Sequence, residues 1–181
     1  MVPVDADRAV RPGGACRSGH YDPAVRVVLQ RVRWARVTVG DDVVGEIGPG
    51  LLALVGVAAG DTPDDAALLA RKTARLRVLA GHERPFDRAL VDVPGAALLC
   101  VSQFTLLGDL RRGNRPSWSG AAAPEVAEPL VETYAAEVAA EGVPVERGRF
   151  GAAMAVSLEN DGPVTIVLDS AELRTPRSGA G

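Results

Sequence analysis

Two short segments carry residue types from which a reaction could be built. Ser102-Gln103-Phe104-Thr105 closes an apolar run with two hydroxyls and an amide, and Gly162-Pro163-Val164-Thr165 sets a Gly-Pro pair beside another hydroxyl. A hydroxyl needs a base to become a good nucleophile. The chain holds only His20 and His82, one in a Pro/Gly/Arg-rich amino-terminal stretch and one in a loop, so a Ser-His-Asp triad is not expected. HExxH, HxH and CxxC pairings are missing, and no catalytic metal is expected. No GxxxxGK[ST] occurs either, and the GPG around Pro49 reads as a hairpin turn, so ATP and dinucleotide chemistry have no support and no cofactor is expected. Taken alone, each segment has a plainer reading that pattern favours. The first is a strand emerging at a surface, and the second is a proline ending ladder pairing.

The elements around these segments follow from hydropathy patterning. VRVVLQRV from Val25 and ARVTV are β-branched runs, followed by a GDD turn, VVGEIG, the GPG turn and the apolar LLALVGV, an antiparallel-looking opening. Asp61-Thr62-Pro63-Asp64-Asp65 supplies a cap, a proline suited to the first helical position and acids at the positive end of the dipole. The helix that follows sets Ala66, Leu69, Thr73 and Leu76 on one face. LRVL and ALLCVSQFTLL read as buried strands. A second helix begins near Pro124, with Ala127, Leu130, Val131, Tyr134 and Val138 as its stripe and Gly142 as its stop. Pro129 lies past its first turn and predicts a kink or a late start. VERGRF, AAMAVSLE and VTIVLDS complete the strands, the last two joined by a turn at Asn160-Asp161-Gly162-Pro163.

Bulk properties narrow the rest. At 181 residues with 47% apolar content, one core is expected: residues 25–170 as the domain, 1–24 as an extension or mis-assigned start, and 171–181 as a frayed tail. No apolar run approaches a membrane span, no secretory leader is evident, and the cytoplasm is the expected compartment. Cys16 and Cys100 suggest neither a disulfide framework nor a thiolate site. A net charge of −3 argues against gripping long nucleic acid such as DNA by charge alone, since that mode needs many cationic phosphate contacts. Arginines at 26, 31, 33 and 36, the basic run through 71, 72, 75 and 77, and arginines at 111, 112 and 115 still permit a local basic face. Many strands with two long helices predict an α+β architecture of mixed, largely antiparallel sheets in β/β/α layers.

VRVVLQRV, GEIGPGLLALVGV, SQFTL from Ser102, GNRPSW from Gly113, GRFGAAM ending at Met154, and NDGPVT from Asn160 resemble the D-aminoacyl-tRNA deacylase family, collinearly over residues 25–170. The resemblance implies a homodimer in which a cis Gly162-Pro163 bond projects into the partner's pocket. Backbone carbonyls beside the substrate's chiral carbon would accept bonds from the amino group of a D-residue and clash with the Cβ of an L-residue. Glycine has no Cβ to exclude, so the implied substrates are tRNAs carrying a D-amino acid or glycine.

An aminoacyl ester is already activated, so positioning and oxyanion stabilisation could suffice, with backbone N–H groups around Gln103 and Phe104 as donors. The ribose 2′-hydroxyl of the tRNA could assist. The family suggests Thr105 as a nucleophile, but it lacks a histidine base here, and positioning roles for Ser102 and Thr105 are preferred. By the same resemblance Arg31 anchors the Gly-Pro carbonyl, Met154 and Phe150 help form the terminal-adenosine pocket, Asn160 orders the turn, and Thr165 hydrogen-bonds within the pocket. The LAGHERPFDRALVDV stretch departs from the family's more polar loop. Other readings are an RNA-binding module without turnover, a serine-type ester hydrolase using Ser102, and a structural dimerisation domain.

Overall fold

The backbone of the fold is one long strand, β1 (Arg26–Val39), with which three of the other five strands pair. The computed structural model describes residues 24–81, 84–111 and 113–175, so most of the expected extension and His82 lie outside the described residues. Ala24, assigned to the extension, is buried with the core. β1 pairs antiparallel with β3 (Gly50–Gly56) over its first half and with β2 (Asp42–Ile47) over its second. β6 (Ala155–Asp169) runs antiparallel along its whole length. β4 (Ala97–Ser102) lies parallel to β3, and the short β5 (Val145–Arg147) lies parallel to β4. The result is the expected α+β fold with a mixed, largely antiparallel sheet.

The two faces of the sheet explain its sequence. Leu98, Leu99, Cys100 and Val101 are all buried, as expected for a central strand covered on both sides. On one face α1 (Pro63–Arg75) and α2 (Pro124–Ala140) pack over Val27, Leu29, Leu51, Val55 and Leu98. On the other, Val32, Val37, Ile47, Leu52 and Leu99 form a second cluster, joined by Met154 and Leu158 as the sheet curls on itself. α1 begins where expected. Thr62 caps it, with its N–H and hydroxyl both donating to the Asp65 carboxylate (3.0 and 2.6 Å). The fully buried Tyr134 hydroxyl donates to Thr73 Oγ1 at 2.9 Å and locks α2 to α1.

Several elements differ from the sequence expectation. The two runs of β1 are one strand, because β6 pairs across the join. LRVL forms no strand; only Leu79 makes a bridge, to Arg88. VERGRF is extended for three residues only. α2 starts at Pro124 in spite of Pro129, so there is no late start. The expected frayed tail is ordered at its beginning: Ser170–Arg174 form a helical turn, α3, with Ser170 fully buried and Arg174 paired with Asp65 at 2.9 Å. Residues 176–181 lie outside the described residues.

The most consequential difference is in β6. The Asn-Asp-Gly-Pro turn expected between two strands is a bulge inside one strand. Gln30 faces Thr165 and Val32 faces Asn160, so two steps along β1 correspond to five along β6, and the surplus residues are looped out. Both flanks keep the same direction, and the Gly162-Pro163 peptide within the loop is cis.

Candidate functional site

The parallel strands β3 and β4 end side by side, with Val55 opposite Ser102. The Gln103 N–H extends the ladder by one bond, donating to the Val55 carbonyl at 2.7 Å. The chain then tightens into a 3-10 turn, Phe104–Leu107. Gly56 makes this possible, since a Cβ there would stand 2.9 Å from the Gln103 carbonyl oxygen and 2.5 Å from Leu107 Cδ2. Leu106 N–H donates back to Gln103 O and Gly108 N–H to Thr105 O. The first amides of such a turn have no partner within it. Among the described residues the Phe104 and Thr105 N–H groups are unbonded. The Gln103 amide, expected as an oxyanion donor, is already engaged. The available pair is therefore shifted by one residue.

Beside this turn lies a cavity of about 390 Å³. Ser102, Gln103 and Phe104 form one wall, Pro124, Ala127 and Val131 of α2 another, and Val55 and Val57 the floor. Phe150 and Gly151 close a side, and Trp118 stands at the rim in edge-to-face contact with Phe104, centroids 5.5 Å apart at 83°. Both rings are substantially exposed. Thr105 is exposed outside the lining, and its hydroxyl oxygen accepts a close hydrogen bond from Gln103 Nε2. Behind the wall, burial pushes the Cys100 thiol up to about 12, leaving it protonated and inert.

The second predicted group sits elsewhere on the protomer. Gly162 and Pro163 are exposed on the β6 bulge and line none of this cavity, and neither does Thr165. Arg31 braces the bulge from below. Its Nε donates to the Asp161 carbonyl at 3.2 Å and meets Asp161 Oδ2 at 2.9 Å, while Nη1 donates to the carbonyls of Val78 and Pro85, both at 2.9 Å. The carbonyl bonded is that of Asp161, one residue before the glycine. Phe86 lies over the guanidinium at 5.9 Å. Asn160 closes the base of the loop, its Nδ2 donating to Arg31 O and Val164 O, both at 3.0 Å. Gly162 has φ +117°, and a Cβ there would stand 2.8 Å from both Arg31 Nη2 and Val164 Cγ2.

Of the adenosine-pocket pair, Phe150 lines the cavity and Met154 does not; Met154 packs against the second core cluster. Sequence reasoning missed Trp118 as a rim residue and α2 as a wall. A tryptophan in a Gly/Asn/Arg/Pro-rich loop was the available signal for the first. The basic runs are largely neutralised: Arg33 pairs with Glu159, Arg36 with Glu46, Arg75 with Glu141 and Arg77 with Asp87.

This geometry stands in a chain whose residues 28–169 match the family described as D-Tyr-tRNA(Tyr) deacylase. The chain belongs to that family. Among its deacylase relatives, a protein of Roseiflexus sp. (strain RS-1) named D-aminoacyl-tRNA deacylase is 58% identical over 154 residues, covering 85% of this chain and 99% of the relative. A protein of the same name from Chloroflexus aurantiacus (strain ATCC 29364 / DSM 637 / Y-400-fl) is 58% identical over 153 residues, covering 84% and 95%. Among solved structures, one titled c-Myc DNA Unwinding Element Binding Protein superposes with TM-score 0.72 at 35% identity, over 79% of this chain and 97% of that one. Another, titled as a structural analysis of a probable eukaryotic D-amino acid tRNA deacylase, gives TM-score 0.70 at 20% identity, over 81% and 99%, and shows the shared fold. No helix among the described residues is long and apolar enough to cross a membrane.

Proposed function

We infer that this deacylase-family chain hydrolyses the ester that joins a D-amino acid, or glycine, to the terminal ribose of tRNA, releasing the free amino acid, and that it does so as a homodimer in the cytoplasm. The observation that carries the reading is the coexistence of two incomplete halves. One is an apolar cavity walled by residues 102–104 with two unbonded amides at its edge. The other is an exposed, rigidly braced loop at Gly162 that lines no part of that cavity. A second copy brings them together, the loop of one protomer entering the cavity of the other.

In that arrangement the ester carbonyl lies against the Phe104 and Thr105 amides. Water attacks the carbonyl carbon, the oxyanion is held by the two N–H groups, and the ribose 3′-oxygen leaves with a proton. The main chain of the partner's loop meets the α-carbon. It accepts from the amino group of a D-residue and collides with the Cβ of an L-residue, so handedness is judged without reading the side chain. Ser102 and Thr105 position the substrate, and Phe150 contacts the terminal adenosine. The reaction requires neither metal nor cofactor.

The test is to incubate the protein with D-Tyr-tRNA, L-Tyr-tRNA and a small aryl ester, with and without chelator. Rapid, chelator-resistant loss of the D-form alone is expected. Comparable loss of the L-form contradicts chiral selection, and rapid cleavage of the aryl ester points to a serine-type hydrolase instead.

A further inference from the structure

Arg26 opens β1 and lines neither the cavity nor the bulge described above. Its side chain is largely buried, at 20% exposure. Nη1 donates to the carbonyl oxygen of Leu106 at 2.8 Å, and Nη2 meets Asp169 Oδ2 at 3.2 Å. The two bonds have different meanings. Arg26 and Asp169 are direct cross-strand neighbours in a ladder that spans the whole of β1, so their ion pair adds little to strand pairing. The bond to Leu106 crosses eighty positions of sequence and serves no ladder. It ends on the 3-10 turn whose opening amides are the oxyanion donors.

That turn is a single, intrinsically weak element, and among the described residues hydrogen bonds tie it to β3 and to β1. At its start Gln103 N–H is tied to Val55, and near its end the Leu106 carbonyl is tied to Arg26. Carbonyls at the carboxyl end of a helical turn lack intrahelical donors, and a cation there both bonds one and complements the turn's dipole. Asp169 aims the guanidinium with Oδ2, while its Oδ1 accepts the Ala171 N–H that caps α3. The connection therefore runs from the carboxyl-terminal turn through Asp169 and Arg26 to Leu106.

We propose that Arg26 is a positioning residue for deacylation: by bonding Leu106 O it fixes the 3-10 turn so that the Phe104 and Thr105 amides point at the developing oxyanion, with Asp169 holding it in place. The proposal rests on the reading that those amides stabilise the oxyanion. Misplacing such donors by an ångström lowers the rate without greatly changing ground-state binding.

The experiment compares Arg26→Met, Arg26→Lys, Asp169→Asn and the Arg26→Met/Asp169→Asn double variant on D-Tyr-tRNA, with Phe104→Pro, which deletes one donor N–H, as a control. Arg26→Met is expected to lower kcat on the order of 10- to 100-fold with KM within about twofold. Arg26→Lys should recover part of the loss. Asp169→Asn, which keeps an acceptor for Ala171, should lose less than Arg26→Met, and the double variant should be no slower than Arg26→Met alone, because both act through one connection. Amide exchange should quicken at residues 104–108 and stay unchanged in β1. A wild-type kcat in folded Arg26→Met, or in Asp169→Asn should the former fail to fold, overturns the proposal. So does a loss that appears in KM and in exchange throughout β1. If Phe104→Pro turns over normally, the oxyanion reading itself fails; if Phe104→Pro is dead while the Arg26 variants are unimpaired, only the present inference fails.

Discussion

The cavity beside residues 102–105 and the bulge at residues 161–164 are built on opposite principles. The first encloses space: two parallel strands end together, one glycine admits a tight turn, and an apolar helix supplies the far wall. The second presents main chain outward. Arg31 of β1, Asn160 of β6 and the carbonyls of Val78 and Pro85 converge to hold a piece of exposed main chain that lines no part of that cavity. Bracing of that kind around an exposed glycine makes sense where the loop's shape is its function. In the proposed dimer the first region reacts and the second selects, each on a different copy of the chain.

Variants that damage one region and spare the other sharpen this division. The largest effect is expected for Phe104→Pro, which removes a donor amide: a fall in kcat of about 10²- to 10³-fold, measured with D-Tyr-tRNA under single turnover. Phe104→Ala keeps the amide and loses the contact to Trp118, so its defect should appear mainly in KM. Gly162→Ala should cost on the order of 100-fold, since the loop must shift to relieve contacts of 2.8 Å and leave a left-handed φ. Ser102→Ala should cost about tenfold or less, the loss of one positioning bond. If Ser102→Ala proves worse than Gly162→Ala, the division fails in favour of a serine nucleophile.

The smallest effect concerns neither region. Asp61 is buried, its Oδ2 accepts from Ala58 N–H at 2.6 Å and its Oδ1 has no partner among the described residues; burial raises its pKa from 3.8 to about 6, with Asp65 and Asp169 adding repulsion. The folded state thus holds this proton more tightly than the unfolded state does. The associated stability is complete below 3.8 and lost as pH rises through about 6. Asp61→Asn should therefore raise stability by about 1–2 kcal/mol at neutral pH, allowing for partial solvent screening, and change nothing below pH 3.8. Urea unfolding at two pH values reads the difference. The preference for D over L should stay as in the parent, and a changed preference would tie Asp61 to selection.

How far the sequence revealed this arrangement depended on the range of the interactions involved. α1 was legible from Thr62, Pro63 and Asp65 because a capping box is complete within four residues. The central strand β4 was legible as an unbroken apolar run, but it ends at Ser102 and not at Leu107 as expected, because the chain there tightens into the 3-10 turn. The β6 bulge was misread as a turn because Asn-Asp-Gly-Pro is turn chemistry locally; only the register against β1 turns it into a loop within a strand. LRVL has strand composition but no strand to pair with. At the site, residues 102–105 stood out as a group in the sequence, yet which amide is engaged depends on Val55, nearly fifty residues away. Likewise the split between Phe150, in the cavity, and Met154, in the second core, follows from how the sheet curls.

The most direct test is complementation between two crippled chains. Gly162→Ala keeps its cavity and lacks a working loop, and Phe104→Pro keeps its loop and lacks a working cavity. Co-expressed or refolded together, they should form mixed dimers in which one of the two sites is whole, restoring activity to about a quarter of the parent level for random pairing. Activity that stays at the level of the separate variants, in a sample shown to contain mixed dimers, would mean that each protomer works alone and that the loop does not serve its neighbour.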